Sequence, residues 1–226
     1  NITHPAAEAR LVVSCAAGQV AYFIIPELVE SAFLTSPIMP KPTEDTPAAV
    51  TRPADPVSFP VPAWLLSHPN DFAVIGTVVP GTSGQVTKHI VCNYTDANGE
   101  CGIFVTATAV TFRKRAGGSN TDVSATSTHA ASVPMQYIAY SSAVLGMGIS
   151  VRAYTESAWG DWTAWGTSDA AGAKANAVLA STFRIGSQTA SAGHIYGTFP
   201  MTRILRIPTN LSAAALQAWL IAKAGA

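Results

Sequence analysis

A chain of 226 residues that is 48% apolar and only 12% charged carries enough apolar mass for one full domain, and its composition excludes an intrinsically disordered tail. Thirteen Lys and Arg against thirteen Asp and Glu leave no net charge, so the basic footprint that nucleic-acid binding requires is missing. No run of about twenty uncharged apolar residues occurs, which leaves no candidate for a membrane-spanning helix.

The chain opens on Asn1 without a basic, apolar and small-residue leader, as expected of a segment of a longer chain or a processed product. Residues 9–14 and 20–25 are two apolar runs separated by Ala16-Ala17-Gly18-Gln19. They read as the closing hairpin of an upstream β-domain, assigned to residues 1–35. Nine of the fifteen prolines then fall between Pro37 and Pro69. Proline fixes φ and removes a donor, so residues 36–56 are expected to form an extended linker. From residue 57 onward short β-like runs follow one another, at 71–79, 85–94, 102–115, 134–142, 148–154, 177–186 and 193–207, with Gly, Ser, Thr and Asn turns between them. That spacing predicts an all-β sandwich. Alternation from Phe104 through Phe112 puts one side of its strand to core and the other to solvent.

Asn98-Gly99 is a turn signal between Cys92 and Cys101, which places the two thiols in neighbouring strands, either facing each other or separately half-buried. With Cys15 they make an odd set without metal-ligand spacing, which argues against a disulfide scaffold and a zinc site and for assembly in a reducing compartment. One helix is predicted, at the end of the chain. Ser212 is a good N-cap, Leu211 and Leu216 form a hydrophobic staple, Leu216, Trp219 and Leu220 share one face, and Gly225 ends it. So short a helix requires docking on the sandwich.

Two stretches resemble a known family. The run Pro26-Glu27-Leu28-Val29-Glu30-Ser31-Ala32-Phe33-Leu34-Thr35-Ser36-Pro37-Ile38-Met39-Pro40, with Ala48-Ala49-Val50-Thr51-Arg52-Pro53-Ala54-Asp55, looks like the junction in tailed-bacteriophage virion proteins that joins an upstream carbohydrate-binding-like sandwich to a concanavalin A-like, laminin-G-like jelly roll. Gly193-His194-Ile195-Tyr196-Gly197-Thr198, Arg203-Ile204-Leu205-Arg206-Ile207-Pro208 and Leu211-Ser212-Ala213-Ala214-Ala215-Leu216-Gln217-Ala218 resemble that family's last strands and terminal helix. The resemblance covers roughly residues 26–220 and implies a jelly roll over 57–226 with a short C-terminal helix. It further implies a non-enzymatic virion protein assembled in the host cytoplasm, a capsid decoration, fibre or tail appendage. Its partners would be other virion proteins and further copies of itself. The alternative is a glycan-binding host-adsorption domain that recognises surface polysaccharide.

The residues offer no catalytic set and imply no cofactor. A glycosidase needs two carboxylates across a cleft, and the Glu-x-Asp-x-x-Glu strand that concanavalin-like glucanases share is absent. Asp96 and Glu100 read as turn acids. Gly81-Thr82-Ser83-Gly84 is a turn rather than a nucleophile elbow, and His4, His68, His89, His129 and His194 lack ligand spacing. Asp96, Asn98 and Glu100 alternate as calcium ligands can, but hairpin turns use the same residues, and no metal site is assigned. The sharper feature is aromatic: Tyr154, Trp159, Trp162 and Trp165, interleaved with Asp161, form a candidate surface for a sugar or for a neighbouring subunit. After Asp169 there are five basic residues and no acidic one, whereas the first 169 residues hold eight basic and thirteen acidic, a net −5. The two parts are expected to compensate each other, within one protomer or between subunits.

Overall fold

The computed structural model describes residues 57–225 apart from 82–84, 128–129, 156–157, 190–192 and 196, all within the unit Ala54–Ala226. The upstream β-domain expected over 1–35 and the linker expected over 36–56 lie outside the described residues. In chain order the elements are β1 (Val57–Pro60), α1 (Ala63–Ser67), β2 (Phe72–Pro80), β3 (Lys88–Asp96), β4 (Gly99–Val105), β5 (Ala109–Ala116), β6 (Ser119–Thr126), β7 (Met135–Ser142), β8 (Gly146–Thr155), β9 (Ala158–Trp159), β10 (Gly166–Ser168), α2 (Ala171–Lys174), β11 (Thr182–Ile185), β12 (Gly197–Arg206) and α3 (Ala213–Ala224).

Eleven of the strands build two antiparallel sheets, ordered β1-β11-β3-β4-β5-β6 and β10-β8-β7-β2-β12, and β9 adds to β8. Chain-distant strands become neighbours, since β3 pairs with β11 and β2 lies between β7 and β12. The result is an antiparallel jelly-roll sandwich with a C-terminal helix, the fold class expected from the sequence. Period-two alternation sorts each strand. Phe72, Val74 and Val78 of β2, Ile103 and Val105 of β4, Val110 and Phe112 of β5, and Met147, Ile149 and Val151 of β8 meet between the sheets.

The residues of β2 and β7 that alternate with these, Ala73, Ile75, Ile138 and Tyr140, form a second apolar cluster on the outside of the β2-containing sheet, where Leu216, Leu220 and Ala224 of α3 cover them. Ser212 caps that helix as expected, its Oγ accepting from the Ala215 amide at 3.3 Å. Leu211 packs in the same cluster as Leu216, completing the staple. Trp219 is only half-buried and lies under the Lys223 ammonium, 5.6 Å from the ring centre. Among the described residues no helix is long and apolar enough to cross a membrane.

Several boundaries differ from the sequence reading. The run 102–115 is not one strand: the chain reverses after Val105, with the Thr106 amide and hydroxyl both donating to the Ala109 carbonyl, at 2.8 and 3.2 Å. The Thr/Ala alternation continues through this reversal unbroken, which conceals it. The polar strand β6 was not expected, because only Val123 and Ala125 of its eight residues point into the core. Within 177–186 and 193–207 only Thr182–Ile185 and Gly197–Arg206 are strand, and two short helices, α1 and α2, join the one predicted.

Candidate functional site

The aromatic cluster sits at the outer side of the β2-containing sheet, where β9 pairs antiparallel with the end of β8. Arg152 and Tyr154 share the outer face of β8 by alternation. Arg152 holds its guanidinium over two rings at once, 5.2 Å from the centre of Trp159 and 4.7 Å from that of Trp162, and its Nε donates to Gln136 Oε1 at 2.7 Å. Tyr154 meets Trp159 edge-on at 5.4 Å. Trp162 and Trp165 pack against the apolar cluster under α3, and Trp165 lies 5.6 Å from Tyr140. Tyr140 in turn spreads over Gly148, where a Cβ would stand 2.3 Å from its ring. All four predicted aromatics are half-buried, Asp161 is exposed, and the buried Trp162 Nε1 has no acceptor. The structure thus places Trp165 on Tyr140 and brings Trp159 and Trp162, and Tyr154 through Trp159, together around Arg152, which the sequence reading did not single out. Its signal was available as a cation two residues before Tyr154 on an alternating strand.

Beside Trp165 opens a cavity of ≈ 260 Å³ lined by Tyr140, Leu145, Thr167, Ser168, Asp169, Ala213 and Gln217. Burial pushes the Tyr140 phenol above its ordinary value, and a hydrogen bond with Gln217 offsets part of that shift. Hydroxyls, an amide and a carboxylate thus surround an apolar floor.

The opposite sheet holds a polar cluster that sequence spacing concealed. A β-bulge between His89 and Val91 sends both Ile90 and Val91 into the core, so His89 and Cys92, three residues apart, emerge on the same outer face. Gly102 makes room for them, since a Cβ there would lie 3.0 Å from Cys92 Sγ and 3.4 Å from His89 Cδ2. Glu100 joins them. It is not a turn acid but the second residue of β4, with a fully buried side chain. Its Oε1 faces His89 Nε2 at 2.9 Å, and Oε2 faces Arg115 Nη2 and Gln188 Nε2, each at 3.4 Å. Burial alone would raise the Glu100 carboxyl, but the hydrogen bond and charge of His89, with those of Arg115 and Arg113, outweigh it and hold the group below the usual carboxylate range.

The N, S and O atoms of His89, Cys92 and Glu100 lie within 4.8 Å of one another, a donor set that zinc accepts. The carboxylate, however, is already engaged by His89 and Arg115. Burial pushes the Cys92 thiol up, with the Glu100 charge acting in the same sense. The arrangement is a buried carboxylate held by His89 and Arg115 with the Cys92 thiol beside it.

Cys92 and Cys101 do not face each other. Register places Cys92 opposite Gly102 and Cys101 opposite Asn93, so the thiols point to opposite faces of the sheet, and both are free and fully rather than half-buried. Of the calcium-like trio, Asp96 turns inward on its own hairpin, Oδ1 accepting from the Asn98 amide at 2.6 Å, while Glu100 is held by His89 and Arg115. The alternation marks a hairpin and a buried ion pair.

No protein-family model matches the chain, and no curated protein matches it. Similar solved structures include the native heptameric SAP-like pentraxin of Limulus polyphemus, 14% identical over 61% of this chain and 65% of that one with a TM-score of 0.41. Domains LG4-5 of the mouse laminin alpha1 chain are 8% identical over 64% of this chain and 38% of that one, TM-score 0.44. A receptor binding domain is 10% identical over 74% and 39%, TM-score 0.46. The chain spans less than two thirds of the length of each, and the likeness is one of fold alone. These are concanavalin A-like β-sandwiches, and this chain's own two antiparallel sheets make it a β-sandwich as well.

Proposed function

We propose that the chain is a non-enzymatic structural module of a bacteriophage virion, a capsid decoration, fibre or tail appendage, that meets other virion proteins and its own copies through the Trp159–Arg152–Trp162 stack. The observation that carries this reading is the guanidinium between the two rings. A sugar platform requires an open ring face, whereas here Arg152 occupies a face of both Trp159 and Trp162 and Tyr140 packs on Trp165. What is offered outward is a half-buried set of Trp and Arg, the residue types that anchor protein interfaces. The virion setting rests on the resemblance of residues 26–55 and 193–218 to phage proteins. A second reading, adsorption to host polysaccharide, is favoured by the hydroxyl-, amide- and carboxylate-lined cavity beside Trp165.

Size-exclusion chromatography with light scattering on Trp159→Ala, run beside a glycan array, tests the choice. The expected result is loss of the oligomer, since truncating an interface Trp commonly costs about 2 kcal/mol or more. Intact oligomers together with a glycan signal that depends on Trp159 or Asp169 would replace the first reading by the second.

A further inference from the structure

Lys114 is the one lysine among the described residues that is almost wholly buried, 3% exposed, and it lies between the sheets rather than on the surface. It shares the inner face of β5 with Val110 and Phe112 and reaches across to Ser141 of β7 and to Asn70, two residues before β2. Nζ donates to Asn70 Oδ1 at 2.5 Å, Ser141 Oγ at 3.0 Å, and the carbonyls of Ala173 and Ala175 at 2.9 and 2.5 Å. Asn70 is 2% exposed and clamped at both ends. Its Nδ2 donates to the Lys174 carbonyl, and Oδ1 accepts from Ser141 Oγ at 2.5 Å as well as from Lys114. A buried site that holds an amine against a side-chain amide, with a hydroxyl bridging the two, brings together the nucleophile and the electrophile of a transamidation.

We propose that Lys114 and Asn70 are a self-processing pair in which the lysine amine displaces ammonia from the asparagine side chain and leaves a covalent amide between the two sheets. Geometry supplies the approach. Cγ is one C=O bond of about 1.2 Å from Oδ1, so Nζ stands no further than about 3.7 Å from it, close to attack distance. The Ser141 hydroxyl, donating to Oδ1, draws electron density from Cγ and stabilises the oxyanion that forms on attack. Ser141 touches both amine and carbonyl oxygen and can pass a proton between them. Burial lowers the Lys114 amine to about 8, against the opposing charges of Cys101 and Asp71, so a usable fraction is neutral and nucleophilic near pH 7.

The step balances without a co-reactant. The neutral amine's lone pair forms the Nζ–Cγ bond, the Cγ–Nδ2 bond breaks, and one Nζ proton goes to Nδ2, which leaves as ammonia. Lys174 and Ala175, half-exposed beside Nδ2, mark the way out. The product ties β5 of one sheet to the entry of β2 in the other, across 44 residues of chain.

Intact mass spectrometry of the purified full chain under denaturing conditions tests this directly and needs no variant. The expected mass is that of the sequence less one ammonia, and proteolysis should yield a branched peptide joining Lys114 to Asn70. Asn70→Asp should lose water instead of ammonia and converge on the same final mass. Lys114→Met should restore the full sequence mass. A succinimide at Asn98-Gly99 also releases ammonia, but its mass deficit would persist in Lys114→Met and would overturn the proposal. An unmodified wild-type mass would overturn it equally, leaving Lys114 as a hydrogen-bonded plug.

Discussion

The two sheets solve the same problem in opposite ways. Outside the β2-containing sheet, apolar residues of β2 and β7 are covered by an apolar helix face, Leu216, Leu220 and Ala224. Outside the other sheet the buried groups are His89, Cys92 and Glu100, like the leucines of α3. Here the contacts are hydrogen bonds: His89 N–H donates to the Gly193 carbonyl at 2.9 Å, and Gln188 donates to Glu100. The helix can shift slightly and still bury its leucines, because apolar burial is non-directional. The charged cluster has less tolerance, since the buried Glu100 carboxylate depends on the directional contacts of His89, Arg115 and Gln188.

The sharpest way to break the comparison is Glu100→Ala. Removing the carboxylate leaves His89 and Arg115 facing a void, and loss of one partner from a buried pair typically costs about 3–5 kcal/mol. The expected outcome is a large fall in the denaturation midpoint. The pH dependence has a definite sign. The Glu100 carboxyl is lowered in the fold, so the unfolded chain binds more protons. The contribution is complete above the unfolded value of about 4.3 and is lost as pH falls through the folded value. His89, Arg115 and Arg113 face the carboxylate, with Cys92 beside it. The stability gap between wild type and Glu100→Ala should therefore narrow as pH falls below about 4. A gap that is small at pH 7, or independent of acid, would show the cluster to be dispensable.

The matching change on the other sheet is Leu216→Ala. Leu216 is fully buried, and truncating such a leucine typically costs about 2–5 kcal/mol, depending on how far the site collapses. The loss should show in thermal melts and, unlike that of Glu100→Ala, should not vary between pH 7 and pH 4. Unchanged stability would mean that α3 is not part of the cooperative unit.

These two faces also mark how far the residues could be read in advance. The terminal helix was legible down to its cap and staple, because an N-cap, a helical period and a stop signal are local. The sandwich was legible as a series of alternating runs. The polar cluster was not. His89 and Cys92 are three apart, so a strict period of two places them on opposite faces, and only the bulge at Ile90 and Val91 brings them together. Glu100 was hidden by its neighbours Asp96 and Asn98, which belong to a turn and lend it a turn's appearance. β6 was hidden by polarity, and Lys114 by its type, since a lysine on a strand is read as solvated until a partner sheet is known to cover it. The aromatic group was legible in composition but not in construction, because its centre, Arg152, lies outside the tryptophan run.

The smallest effect expected sharpens the comparison most, because it separates distance from burial. Arg113 and Asp122 form a two-pronged pair on the same outer face as Glu100, with Nε to Oδ1 at 2.8 Å and Nη2 to Oδ2 at 2.7 Å, both shorter than the 2.9 Å contact of His89 with Glu100. If separation governed strength, this pair would be worth more. Its side chains are, however, 22% and 36% exposed, and water screens what proximity offers. Arg113 also lies 4.8 Å above the Phe104 ring, a contact that Asp122→Asn leaves in place, so the acid is the partner to change. The loss should be about 0.2–1 kcal/mol at low salt, and most of it should vanish as ionic strength rises toward 1 M, where the screening length falls to about 3 Å. Glu100→Ala should keep nearly its whole cost under the same titration. A loss at Asp122 that equals the loss at Glu100, or that resists salt, would mean that the two pairs act alike and that burial is not what distinguishes this face.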